Sequence, residues 1–429
     1  MKPQDFTDRL NKGEFDAVLK ELYGSSDTVI EKQKMRYTQA VNSFAQLYPN
    51  RDDIYVYSAP GRTEIGGNHT DHQHGCVLAA AVNLDVISVT AFHDEGVIRL
   101  KSEGYPQDIV RLSDLSVQPE EKGRSSSIIR GIASHFADMG VKIGGFDAYT
   151  TSDVLSGSGL SSSAAFENLI GTVIDKHYNN GAAGAVEIAK IGQYAENEYF
   201  GKGSGLMDQM VSSVGGFVFI DFHDTENPII ERHSFNFERA GYCICITDTK
   251  GSHADLTDDY VSIPAEMKHV AQQFGKEVLR DVDESEFYKS IPKLRAKCTD
   301  REILRAAHFF GENERAKLEA KALEQGDTDK FFALVRSSAD SSANLLQNLY
   351  SCKKPSEQGI SLAIMMSKKI LGDGAAVRVH GGGFAGTIQA FVPIDKSEEY
   401  SRSMNELFGE GSCYILRIRP VGGIEITKG

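Results

Sequence analysis

The sequence predicts an α+β protein of two domains. Strand-like and helix-like stretches segregate along the chain more than they alternate, which favours α+β over a doubly wound sheet. The chain has 429 residues, more than one typical core accommodates. Its 41% hydrophobic and 25% charged residues are the proportions of an ordinary globular protein.

Residues 1–50 read as a helical arm of two amphipathic helices, broken at YGSSDT. In the second, Ile30, Met35, Tyr37, Val41, Phe44 and Leu47 recur at roughly helical spacing. The arm is expected to pack, not to catalyse. DIYVYSAP reads as a strand running into SAPGRTEIGGNHTDHQHG. DVISVTAFH and GVIRLKS resemble a hairpin pair with charged outer positions. From Gly145 the chain reads as strand, Gly/Ser loop and a helix beginning at or near Ser163. AVEIAKIGQYAENEYFG follows as a helix, then the loop KGSGLMDQM and the strand GGFVFIDF. A second pattern begins after about residue 235. It opens with the strand GYCICITDT and continues with long amphipathic helices through residue 371. AAVRVHGGGFAGTIQAFVP is strand, glycine loop, strand. A helix near SEEYSRSMNELFG and a last strand, CYILRIRPVGGIEI, complete the chain; that strand is free to cross back to the first domain. The expected division is an arm over 1–50, a domain over 51–235 and a domain over 236–429.

A net charge of −14 argues against a nucleic-acid surface and against anionic membranes, while leaving room for a local phosphate pocket. The six cysteines show no CxxC pair and no metal-finger spacing. Cys243 and Cys245 alternate in an apolar run, as buried free thiols do. The N-terminus is polar and lacks an apolar signal core, and no apolar run is long enough to span a membrane. A cytoplasmic protein with reduced thiols is expected.

Four stretches carry the chemistry. In SGSGLSSSAAFENLIG, small residues leave backbone N–H groups accessible ahead of a helix N-terminus, which is a ready anion site. The alternative is a plain loop with a Ser N-cap, and the Walker spacing is absent. HGGGFAG lies between two strands, where a glycine cluster means close backbone approach or a tight turn. AENEYFGKGSGLMDQM puts Glu196 late in a helix and Asp208 in the loop beyond, two carboxylates able to divide metal binding and proton acceptance. The stretch with Arg62, His69 and Asp71 suits a polyhydroxylated ligand. Metal binding by His69, His72 and His74 ranks below it, because the spacing matches neither HExxH nor a zinc finger.

In this order the four stretches resemble the GHMP kinases, and within them the galactokinases. Pro60-Gly61-Arg62 with Asn68-His69-Thr70-Asp71-His72 is similar to the family's opening motif. GLSSSAA stands intact at Gly159–Ala165, and GGGFGG appears as Gly381–Gly386 with Ala385 substituted. Ala195-Glu196 and Gly205–Gln209 match the remaining motifs. The resemblance runs from about residue 51 to the C-terminus. It implies a domain like ribosomal protein S5 domain 2 followed by a ferredoxin-like domain, with the active site in the cleft between them. It implies ATP and Mg²⁺, a small sugar as partner and no nucleic acid or membrane; oligomeric state is left open, a monomer included. By resemblance, Asp208 takes the proton of the sugar's anomeric hydroxyl and Arg62 keeps that carboxylate ionised. Ser163 and Glu196 hold Mg²⁺. Gly157, Ser158, Gly159, Leu160, Ser161, Ser162 and Ser163 form the triphosphate cradle. Asn68, His69, Asp71, Gly205, Asp208 and Tyr260 lie around the sugar.

Departures cluster in the sugar-reading segment. Asn68 stands where galactokinases usually have Glu, and His72-Gln73 replaces the usual Tyr-Asn, as in plant galacturonate kinases. Asn accepts a C6 carboxylate that Glu would repel, and a protonated His72 would help hold it. Glu64, in place of a family Asn, restores a carboxylate. The chain has no Trp, so the usual adenine-stacking residue is absent. Galactose is the first expectation, a uronate the second, and a non-catalytic sugar and nucleotide sensor the third.

Overall fold

A computed structural model describes residues 1–154, 159–252 and 256–428. The arm forms three helices, α1 (Pro3–Asn11), α2 (Asp16–Tyr23) and α3 (Asp27–Leu47), one more than the periodicity predicts. The extra break falls at Gly13, whose φ of +80° ends a right-handed helix. Tyr37, Val41 and Phe44 pack with Phe6, Leu19, Val56, Ile87 and Val89. Met35 and Leu47 stay exposed: Met35 lies about 200° around the helix from Tyr37, on the opposite face.

The first sheet contains β1 (Tyr55–Gly66), β2 (Cys76–Phe92), β3 (Val97–Ser102), β4 (Gln107–Arg111), β5 (Gly145–Ser152), β6 (Phe217–Asp221) and β7 (Ile229–His233). Its main path runs β1-β2-β5-β3-β4, with β6 joining β2 to β7. Alternation along β1 serves two layers. Val56 faces the arm. Tyr57 and Ala59 face the core shared with α4 (Ser125–Asp138) and α5 (Ser162–Tyr178); α6 (Gly184–Tyr194) and α7 (Met207–Val214) complete this layer. The expected β2–β3 hairpin does not form. β5 lies between them, antiparallel to β2 and parallel to β3. The link after β2, instead of turning tightly, bonds the start of β5 through His93 N to Gly145 O (3.1 Å) and Gly96 N to Gly144 O (2.8 Å). Phe146 and Ala148 of β5 are thereby buried.

The second sheet contains β8 (Tyr242–Asp248), β9 (Ala376–His380), β10 (Thr387–Pro393) and β11 (Cys413–Leu416), ordered β11-β8-β10-β9 and antiparallel throughout. Between β8 and β9 run α8 (Thr257–Gln272), α9 (Glu284–Leu294), α10 (Asp300–Gln325), α11 (Thr328–Ser341) and α12 (Gly359–Leu371), and α13 (Ser397–Phe408) links β10 to β11. This is the ferredoxin-like βαββαβ order with extra helices in the first crossover.

The chain then returns to the first sheet, where β12 (Ile424–Glu425) pairs with β1. On the way, fully buried Arg419 meets fully buried Asp85 at 3.0 Å, and Arg36 of the arm reaches the same carboxylate at 2.6 Å. Burial alone would raise the Asp85 pKa, but the two guanidinium groups and the Ser58 and Tyr23 hydroxyls hold it below the ordinary carboxylate range. One carboxylate thus joins arm, sheet and tail. Among the described residues, no helix is long and apolar enough to cross a membrane.

Candidate active site

Three glycine-bearing segments converge: the end of β1 with the loop after it, the turn ahead of α5, and the loop between β9 and β10. Two register shifts in β1, at Pro60/Arg62 and Glu64/Gly66, twist the strand locally and re-aim its side chains. At Gly67, φ is +86° and an added Cβ would stand 2.4 Å from Cys76 O, so the turn that launches the loop admits only glycine. Thr70 closes it, donating its hydroxyl toward Gly67 O and Cys76 O at 2.8 and 2.7 Å.

Arg62 extends toward α7 and grips Asp208 with two parallel bonds, Nε to Oδ1 and Nη2 to Oδ2, both 2.6 Å. Its third nitrogen donates to Gly159 O, and its backbone N–H donates to Leu160 O at 3.0 Å. Ser161, left-handed at φ +54°, donates its hydroxyl to Asp208. A left-handed conformation at a non-glycine residue stores strain of the kind that collects at functional sites. Desolvation pushes the Asp208 carboxyl up, but Arg62 and Ser161 outweigh it and hold the group below the ordinary carboxylate range. Asp208 is therefore an anion at neutral pH, with its side chain still about a third exposed at 32%.

The sugar-reading candidates divide. Asp71 is half-buried and faces Gly205, where an added Cβ would come within 3.7 Å of its Oδ2. His69 Nε2 lies 3.1 Å from Gly382 O, and Tyr260 donates its hydroxyl to Gly383 O at 2.9 Å. Both therefore rest on the second glycine loop. Asn68 is different. It is 1% exposed, and its amide N–H groups donate to Glu64 Oε1 and Gly381 O at 3.0 and 2.8 Å. Its Oδ1 accepts from Asn348 at 3.1 Å. The structure sets this side chain behind the cleft, as a tie between the two loops. Glu64 is neutralised by buried Arg378 at 2.6 Å. Burial holds His72 down to about 4, against the opposing pull of Asp71, so its ring is neutral at pH 7.

Glu196 sits on a π-helical turn, Ala195–Phe200, that continues α6; such turns are frequent at functional sites. Gln209 Nε2 donates to both Glu196 and Glu167 of α5 at 2.9 Å. Burial and the neighbouring Glu196 charge push Glu167 up to about 8, and its Oε1 has no partner among the described residues. Lys202 closes on Glu196 at 2.9 Å. Glu196 and Glu167, the latter with its orphaned Oε1, offer hard oxygen donors that fit a divalent cation such as Mg²⁺, whose binding would displace the Glu167 proton. Ser163 is exposed in the first turn of α5, and Ser162 beside it is half-buried. Gly157 and Ser158 lie outside the described residues.

Sequence reasoning missed the support from α10. His308 Nε2 lies 3.0 Å from Asn68 O. Glu312 accepts from the backbone N–H groups of Gly67 and Asn68 at 3.3 and 3.4 Å, and from Ser338 at 2.6 Å. No local motif marks these residues, which act across some 240 positions of chain. A cavity of about 790 Å³ opens elsewhere, between Lys20–Leu22, the segment 232–240 and Leu416–Ile418. None of the residues above lines it, so convergent chemistry, not volume, locates the site.

Comparison with known proteins agrees with this geometry. The galactokinase galactose-binding signature matches residues 42–92 and the GHMP kinase N-terminal domain matches residues 127–216. Galactokinase of Lactococcus lactis, solved with galactose, is similar at a TM-score of 0.75 and 23% identity, covering 89% of this chain and 98% of its own. Mevalonate kinase of Methanococcus jannaschii gives 0.61 at 15% identity over 85% and 98%. A D-glycero-D-manno-heptose 1-phosphate kinase from Bacteriodes thetaiotaomicron gives 0.57 at 17% over 87% and 98%. The chain thus carries a galactokinase galactose-binding signature and a GHMP kinase N-terminal domain, and along most of its length it shares the two-domain α+β fold of the GHMP kinases.

Proposed function

We propose that the protein is a galactokinase, transferring the γ-phosphoryl group of ATP to the C1 hydroxyl of galactose to give galactose 1-phosphate and ADP. The observation that carries this is the two-bond Arg62–Asp208 pair set beside the Gly159–Ser161 turn. The C1 oxygen forms a bond to the γ-phosphorus, the bond from that phosphorus to the β–γ bridging oxygen breaks, and the hydroxyl proton passes to Asp208. Arg62 keeps Asp208 ionised and offsets charge on the phosphoryl oxygens in flight. Residues 159–163 offer backbone N–H groups to the phosphates at the head of α5, and by sequence Gly157 and Ser158 extend that cradle. Ser163 and Glu196 would hold Mg²⁺, which neutralises phosphate charge when bound. Asp71, His69, Gly205 and Tyr260 line the sugar, in a cleft between domains 51–235 and 236–429.

A neutral hexose is favoured over a uronate by two features. His72, held down to about 4, brings no positive charge at pH 7. Arg378 is already paired with Glu64. A C6 carboxylate joined to this stretch would face Asp71 without a free cation from either group.

The test is ADP release from Mg-ATP with galactose and galacturonate in parallel, with Asp208→Asn as control. Galactose turnover that collapses in the control supports the proposal. Turnover of galacturonate alone overturns the substrate assignment, and galactose binding without turnover overturns the kinase assignment.

A further inference from the structure

Away from the cleft, three side chains of metal-ligand type meet where α8 approaches the start of α10. They are His269 in the last turn of α8, Cys298 in the loop before α10, and Glu302 in its first turn. One ligand atom from each lies within 4.8 Å of the other two. His269 Nδ1 and Glu302 Oε1 are 2.7 Å apart. Cys298 is buried and Glu302 nearly so, while the His269 side chain is 42% exposed, leaving an approach from solvent.

We propose that His269, Cys298 and Glu302 form a zinc site with a fourth position open to water. The donor set decides the metal. One thiolate, one imidazole and one carboxylate suit a borderline cation such as Zn²⁺, whereas Mg²⁺ and Ca²⁺ take oxygen ligands. The geometry is within reach. Tetrahedral zinc holds such ligand atoms about 3.3–3.8 Å apart, so the His–Glu contact opens and the thiol closes by roughly 1 Å or less. The ligands are also prepared. Glu302 Oε2 accepts from the Thr299 backbone N–H in a capping box, which fixes the carboxylate and leaves Oε1 toward His269. The hydrogen bonds from Thr299 and His269 hold Glu302 below the ordinary carboxylate range against the effect of burial. Burial raises the Cys298 thiol, so the free site is protonated at sulfur. On binding, Zn²⁺ displaces the thiol proton to solvent and takes the Nδ1 lone pair; the Nδ1 proton that bonded Glu302 leaves through solvent, and the imidazole proton of the bound state resides on Nε2. The site braces α8, which carries Tyr260, against α10, which carries His308 and Glu312. It stands independently of the sugar proposed above.

The test uses the full chain, stripped with a chelator and titrated with Co²⁺, then Zn²⁺. The expected result is a near-ultraviolet thiolate-to-cobalt charge-transfer band with tetrahedral visible bands, saturating at one equivalent and bleached by Zn²⁺. Cys298→Ser abolishes the band, whereas Cys352→Ser, which removes the exposed thiol, leaves it. His269→Gln, at a half-exposed position less prone to misfolding, weakens cobalt binding. A cobalt ion on the all-oxygen groups of the cleft gives no thiolate band. Absence of the band in the parent protein overturns the proposal, as does its persistence in Cys298→Ser or unchanged affinity in His269→Gln.

Discussion

Replacing Asp208 by Asn changes one heavy atom and should remove most of the activity while sparing the fold. Both carboxylate oxygens accept from Arg62 at 2.6 Å, and Oδ2 accepts again from Ser161. An amide retains one acceptor and turns the other into a donor facing an N–H of Arg62. The proton acceptor is lost, and so is the anion that fixes the guanidinium. A missing general base lowers kcat by about 10²–10⁴, or roughly 3–5 kcal/mol in the barrier. Stability should move by no more than about 1 kcal/mol, because the pair is partly solvated and such pairs contribute little. The assay is steady-state kcat at saturating Mg-ATP and sugar, with Tm measured alongside. Arg62→Ala completes a double-mutant cycle: the double variant should be about as slow as the slower single variant, because the pair acts as one unit. A kcat within about tenfold of the parent, or losses that multiply in the double variant, would refute this account of the pair.

Glu312→Gln should raise the sugar KM more than the ATP KM, because Glu312 holds the Gly67 and Asn68 backbone and not the nucleotide segment. Equal changes in the two constants would count against that. The Gly383→Ala change forces a Cβ to 2.2 Å from Asn348 O at a φ of +80°, whereas Gly381→Ala meets nothing within 4 Å. Denaturant unfolding should show a loss of about 1 kcal/mol for the second, from φ alone, and at least 1–3 kcal/mol more for the first. Burial holds His308 down to about 4 from an ordinary value near 6.5. The unfolded chain thus takes up a proton that the folded chain refuses, and stability falls as pH drops from about 6.5 towards 4. At pH 5.5 this amounts to about 1.4 kcal/mol. The drop between pH 7 and 5.5 in urea unfolding should shrink by about that amount in His308→Gln, and an unchanged drop would contradict the burial argument.

Features set by neighbouring residues were legible in the sequence. The turn before α5, the glycine loop after β9, and the carboxylates at 196 and 208 lie in local patterns, and the structure brings Arg62 and Asp208 into contact. Features set by distant partners were not. Asn68 looks like a ligand-reading amide, yet Gly381 and Asn348 occupy it from some 300 positions away. His308 and Glu312 read as ordinary members of a long helix. The adjacency of DVISVTAFH and GVIRLKS suggested a hairpin, but β5 arrives from later in the chain and fills the gap. His269, Cys298 and Glu302 show no metal spacing, because a chain folded back on itself brings them together, not a motif.

The return of the tail to the first sheet has a consequence for biosynthesis. β1 leaves the ribosome long before its partner β12. Until residues 419–425 have been made, β1 presents an open edge and Asp85 lacks Arg419. The N-terminal half therefore cannot finish folding as it emerges, although it is translated first. A chain cut near residue 235 should yield an N-terminal piece with an unsealed sheet, because the segment 419–425 that closes it is missing.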